Sequence, residues 1–277
     1  MHTVSDAPHM PRSRRVRKPS ARGASVALGI VGILVFLILW QSASIFGWVN
    51  SKYLPTATDV LTMLGVQLGE GRFWVAVGET LRAWSIGLAI SLVAGTVLGL
   101  VIGSSRFLRR ATHSTIEFLR PIPSVGLIPL AVILFGIKLE GVLLLVVYAC
   151  FWIILIQVLY GVADVDKVAE DTAKSLGLGT FARVRHLVWP TLLPYLVTGF
   201  RLAATVALVL AITAELVIGA PGLGSEVANA RSSNAITKMY ALVLASGVIG
   251  VLVNLGARAI ERRLLFWHAS VLREVSA

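Results

Sequence analysis

The sequence predicts an all-α integral membrane protein with about six transmembrane helices, and three observations carry that expectation. Apolar residues make up 56% of the chain and charged residues only 14%, whereas an ordinary soluble domain is about a quarter charged. Apolar runs recur at roughly 20 residues, the helical length that matches a bilayer's hydrocarbon thickness. Lys and Arg collect between those runs, on alternate sides of them, as expected where basic loops stay in the cytosol.

The opening stretch, residues 1–24, holds Arg12, Arg14, Arg15, Arg17, Lys18 and Arg22 among prolines and small residues. It cannot bury enough apolar surface to fold and is expected to be a disordered, basic cytosolic tail. Residues 25–277 then read as one transmembrane domain. The first span, near 25–45, is longer than the apolar core of a signal peptide, which runs about 7–15 residues, so an uncleaved span is the preferred reading. Further spans are expected near 81–103, 116–137, 141–160, 196–218 and 239–258. With the N-terminus inside, the inner segments hold eighteen Lys and Arg and the outer ones six, which puts both termini in the cytosol. Arg201 is left within the fifth span, where its long stem would let it snorkel to the cytosolic interface.

Several residues qualify this outline. Pro121, Pro123 and Pro129 fall in the third span, "LRPIPSVGLIPL"; each removes a backbone donor, so this span is expected to start late or kink. Its freed carbonyls need protein or a water-filled cavity around them, which makes the three prolines candidates for the pathway or gate. Gly95, Gly99 and Gly103 recur every four residues and offer a ridge for close helix packing. Glu215 lies near the outer end of the fifth span, ahead of Gly219 and Gly222. An ionisable residue there marks either a pathway or a structural brace, and the brace is favoured.

Catalytic and metal-centred functions find little support. Cys150 is the single cysteine, so no intrachain disulfide can form. The five histidines show no zinc spacing, and no phosphate-cradling GxxxxGK[ST] loop occurs. The basic residues lack the aromatic-studded surface of an RNA-binding protein, so membrane lipid rather than nucleic acid is the expected contact.

Residues 161–194 are too long for a simple return loop, and long loops in compact folds usually carry function. "DVDKVAEDTAKSLG" reads as a short helix with acidic residues early and glycine at its end. "TFARVRHLV" places Phe181, Val184, Leu187 and Val188 at helical spacing, with Pro190 expected to end it. Periodicity alone leaves two readings open: a docking surface, or an amphipathic segment on lipid headgroups.

Asp171, Thr172, Ala173, Gly177, Leu187, Trp189 and Pro190 resemble the EAA motif of permease subunits of binding-protein-dependent ABC importers. Asp171, Thr172 and Trp189 depart from its usual residues while keeping its spacing. Segments such as "YLPTATDVL", "LPYLVTGFRLA" and "AELVIGAPGLGSEV" are similar, in order, to the nitrate, sulfonate and taurine branch, over roughly Tyr53 to Arg263. The resemblance implies a type I importer permease fold and a non-catalytic subunit of the bacterial cytoplasmic membrane. Asp171, Thr172, Ala173, Gly177, Leu187 and Pro190 would form the loop that couples it to an ATPase. It further implies an ABC ATPase dimer that carries the ATP and Mg, an extracytoplasmic solute-binding protein and a second permease copy, with no cofactor on this chain. The pore would be lined by the third to fifth spans, including the proline-rich segment and Glu215. The solute would be an alkanesulfonate, taurine, nitrate or a related small anion.

Overall fold

A computed structural model describes residues 21–50 and 52–265. Residues 1–20 of the expected tail lie outside that range, whereas 21–24 already belong to the first helix. All regular elements among the described residues are helical. Helix α1, Ala21–Ile45, stands against the bundle with little cover, only 6% of its Leu28–Ile45 window being buried. It is tied at its far end, where Trp40 Nε1 donates to the Pro55 carbonyl at 3.0 Å. Helix α2, Ala57–Gly69, begins at Thr56, whose hydroxyl accepts from the Asp59 N–H, a side-chain cap for an otherwise orphaned donor.

Helix α3, Gly71–Ser104, starts ten residues before the expected span at Leu81. Its added turns are buried, because Phe73, Ala76 and Val77 pack with Leu223 and Val227. Lower down, the glycine ridge lies on α6, Leu139–Ala163. A Cβ added at Gly95 would stand 2.9 Å from Ile154 Cβ, one at Gly99 would stand 2.6 Å from Val158 Cγ1, and one at Gly103 would stand 3.0 Å from Val162 Cβ. Contact positions rise together along both helices, so α3 and α6 are parallel.

Parallel neighbours require the chain to recross between them, and it does so through a broken element. Helix α4, Arg106–Leu119, is followed by a 3₁₀ turn at Ser124–Leu127 and α5, Ile128–Phe135, with a bend of 78°. The third span, expected near 116–137 with a late start or a kink, is a bent pair: its first residues lie inside α4, and Pro121 and Pro123 occupy the bend. Pro129 sits in the first turn of α5, where a missing N–H leaves no bond unmade. Among the described residues five helices are long and apolar enough to cross a membrane, and the bent pair, taken as one span, makes six.

The α6 helix packs antiparallel on α9, Trp189–Ile218. Ala203, Ala207, Ala211 and Ala214 of α9 face Val142, Val146, Cys150 and Ile154 of α6 in one core, a small-against-large seam that brings backbones close. Helix α10, Leu223–Ser232, returns over the end of α9, and α11, Ile236–Leu264, runs antiparallel to α9. Arg201 does not merely snorkel, since its guanidinium meets Glu261 of α11 at 2.9 Å. One end of the bundle gathers Arg106, Arg109, Lys167, Lys174, Arg183, Arg258, Arg262 and Arg263 and is called the basic end below.

The tight α3–α6 seam yields an expectation. Gly99→Ala should lower stability in detergent by about 1–3 kcal/mol through overpacking, and adding Val158→Ala should restore part of the loss. Gly256→Ala, where a Cβ meets nothing within 4 Å, should leave the melting temperature unchanged.

Candidate coupling site

Beyond the end of α6, the chain forms α7, Lys167–Ser175. Asp166 starts it, its carboxylate accepting from the Val168 N–H at 2.8 Å, and its charge suits the positive end of the helix. The helix stops at Gly177, whose φ is +72°. There the Leu178 N–H reaches the Ala173 carbonyl and the Gly177 N–H the Lys174 carbonyl, the paired bonds of a glycine-terminated helix end. That left-handed conformation is open to glycine at no steric cost.

The next helix departs most from the expected pattern. Helix α8, Thr180–Arg183, passes through a π-helical turn at Val184–Val188 directly into α9, so 180–218 is one continuous run of 39 residues. Pro190, expected to end the second helix, does not end it. In the π turn the Trp189 N–H bonds the Val184 carbonyl, five residues back. This wider turn relieves the clash a proline ring makes in a regular helix. Thr191 and Thr198 hydroxyls donate to the Leu187 and Pro194 carbonyls, each four residues back, at 2.9 Å.

The expected coupling residues occupy distinct positions on this assembly. Asp171 and Thr172 are exposed on α7, Ala173 is half-buried beneath them, and Gly177 is the joint. Leu187 is half-buried in the π turn and Pro190 is exposed at its end. Glu170 turns inward and ties α7 to α8, meeting Lys174 at 2.9 Å and Arg183 at 3.9 Å. The Glu170 carboxylate, with Asp171 behind it, holds the Lys174 ammonium above its ordinary pKa. Val168, Leu176 and Phe181 are 73%, 74% and 79% exposed, an apolar surface projecting from the basic end.

Pro121, Pro123 and Glu215 are not brought together. Glu215 is fully buried inside the bundle, near the end opposite the coupling helices. Its Oε2 accepts from the Thr80 hydroxyl at 2.8 Å and from the Gly224 N–H at 3.0 Å, and Thr80 in turn accepts from the Leu223 N–H. The carboxylate thus clamps the start of α10 to α3 and α9. Oε1 has no partner. Gly222 lies directly over the carboxyl group, where any Cβ would collide with it. Sequence reasoning missed Thr80, although its spacing from Phe73, Ala76 and Val77 marks one buried face.

Glu215→Gln keeps an oxygen where Oε2 stands and should leave the melting temperature in detergent nearly unchanged. Glu215→Ala leaves two buried donors without an acceptor and should cost about 1–3 kcal/mol.

Comparison with known proteins agrees with this architecture. Residues 91–266 match the family described as binding-protein-dependent transport system inner membrane component. The taurine transport system permease protein of Escherichia coli is 30% identical over 94% of this chain and 96% of its own length. The bicarbonate transport system permease protein of Synechococcus elongatus is 26% identical over 87% of this chain and 90% of its own. A chain of the MetNI methionine ABC transporter, solved in inward-facing conformations, shares the fold with a TM-score of 0.60 at 20% identity, covering 70% of this chain and 98% of that one. This chain belongs to the family of inner membrane components of binding-protein-dependent transport systems.

Proposed function

We propose that this permease carries a small solute bearing an oxyanion group and that ATP hydrolysis on a separate subunit drives it through α7. The observation that carries the coupling half of the reading is mechanical. α7 displays exposed apolar side chains and is locked by the Gly177 joint and the Glu170–Arg183 contact to a helix that runs unbroken to Ile218. A push on α7 therefore displaces α9 as a rigid body, the kind of element that converts docking into rocking of a bundle. Docking is favoured over a lipid-surface role because the exposed apolar side chains Val168, Leu176 and Phe181 come from two short helices joined at Gly177, a compact knob and not one flat amphipathic face.

In this reading the basic end faces the cytosol, where the excess of Lys and Arg belongs. An ABC ATPase dimer binds there with its ATP and Mg, a solute-binding protein docks at the opposite end, and a second permease copy completes the pathway by two-fold symmetry. Catalysis is then confined to the ATPase, and this chain contributes motion. Taurine and bicarbonate, named for two relatives, share an oxyanion group, and the solute class is taken from that common chemistry.

The test is co-purification with the products of neighbouring genes. An ATPase should be retained by the unmodified chain and lost when residues 167–183 become a flexible linker, with membrane insertion unchanged. Retention by the linker variant would refute the docking role of α7.

The joint gives a sharper expectation. Gly177→Leu places a bulky side chain at φ +72°, at a cost of about 1–2 kcal/mol. It should stay in the membrane yet lose solute-stimulated ATP hydrolysis and uptake. Gly177→Asn, which tolerates this backbone region, should keep most of both.

A further inference from the structure

Helix α4 carries charge where a membrane crossing tolerates it least. Leu108, Thr112, Ile116 and Leu119 are its half-buried edge, turned toward the bundle. At about 3.6 residues per turn, Arg106, Arg109, Arg110, His113, Glu117 and Arg120 share an adjoining arc, and all six are exposed. The remaining arc, with Phe107, Ala111 and Phe118, is apolar. One helix thus has a packing edge, an apolar edge suited to lipid or protein, and a cationic edge.

The cationic edge extends well into the bundle. The Tyr148 hydroxyl donates to the Leu119 carbonyl at 2.6 Å, and Tyr148 lies near the middle of α6. α4 therefore climbs from the basic end to about mid-depth. Along the way Arg109, His113 and Arg120 line a cavity of about 600 Å³ whose far wall includes Leu159 and Tyr160 of α6. His113 meets Glu117 at 3.3 Å, and Arg109 donates to the Gly103 carbonyl at the end of α3. Arg110 and Arg120 have no carboxylate within 4 Å among the described residues.

An unpaired arginine at the depth of Arg120 is expensive against hydrocarbon and faces a water-filled cavity or protein instead. The local arrangement also disfavours itself: Arg106, Arg109 and Arg110 crowd the positive end of α4, where the helix dipole favours anions. An oxyanion passing along this arc relieves both terms, since a guanidinium binds such groups through two parallel hydrogen bonds. We infer that the cationic arc of α4 lines the half of the translocation pathway nearest the basic end and conducts the oxyanion group past Arg109, Arg110, His113 and Arg120. The inference rests on the importer reading for the existence of a moving solute, while the sign of the charge along the path stands on α4 itself.

The test uses the full chain in proteoliposomes with the subunits that co-purify, and His113→Cys as reporter. The probes are two water-soluble methanethiosulfonates, one ending in ethylsulfonate and one in ethyltrimethylammonium. Unsubstituted protein, whose single cysteine is buried, is the blank. After normalisation to a free thiol, the sulfonate reagent should react at least about tenfold faster than the cationic one. Arg110→Gln or Arg120→Gln should bring that ratio toward one, and Arg120→Lys should preserve it. Phe118→Cys, on the apolar arc, should react with neither.

A preference for the cationic reagent would mean that anionic lipid headgroups occupy the arc, and silence toward both reagents would mean that it is packed against protein. Either result overturns the proposal. Failure of the importer reading is separable, because it shows as absence of an ATPase in the purified assembly whatever the reagents do.

Discussion

Gly95, Gly99 and Gly103 let α3 approach α6 so closely that no side chain fits between them, and the two helices run in the same direction. In a bilayer two consecutive parallel spans demand an intervening return crossing, made of backbone whose polar groups are satisfied internally. The chain meets that demand with α4, a proline-bearing bend and α5 rather than with one helix. Charge comes deep into the bundle as a consequence: the return crossing carries a cationic arc beside its half-buried edge. A ridge of missing Cβ atoms thereby determines where the protein can hold a hydrated face.

The helical run from Thr180 to Ile218 joins the two ends of the molecule. At one end it is continuous with α8 and tied to α7, and at the other Glu215 fastens it to Thr80 and to the first turn of α10. Along its middle the alanine face gives it a close yet shallow fit on α6, a surface over which a helix can shift by small steps. Arg201 and Glu261 fix its relation to α11 nearer the basic end. A rigid element held at both ends and smooth in between suits transmission of a displacement across the membrane.

Two prolines inside that run sharpen the point. Pro190 and Pro194 would ordinarily break or kink a helix, and here a π-helical turn at Val184–Val188 takes up the misfit. The widened turn lies between the short helices α7 and α8 and the long apolar part of the run. Glycine at 177 has the complementary effect, closing α7 into a fixed angle and not loosening it.

Composition and run lengths determined by themselves that the chain is helical, membrane-spanning and basic on one side, because those properties depend on how many apolar residues stand in a row. Spacing within 168–190 was enough to mark a short helix that ends at a glycine, since cap residues such as Asp166 and Gly177 act locally. Tertiary contacts decided the rest. α3 gained ten residues at its start because they bury against α10, which no local pattern announces. The prolines of the third span announced a bend, but only the fold set its size, 78°, and laid α5 against α6. Pro190 stayed inside a helix because the backbone could widen around it, and Glu215 became a clamp once Thr80, distant in sequence, was folded against it. Arg109, Arg110 and Arg120 looked like loop charges in the linear chain, and only the parallel course of α3 and α6 set them along one arc of α4, with Arg109 and Arg110 near the basic end and Arg120 carried to about mid-depth, where its charge has to face water or protein.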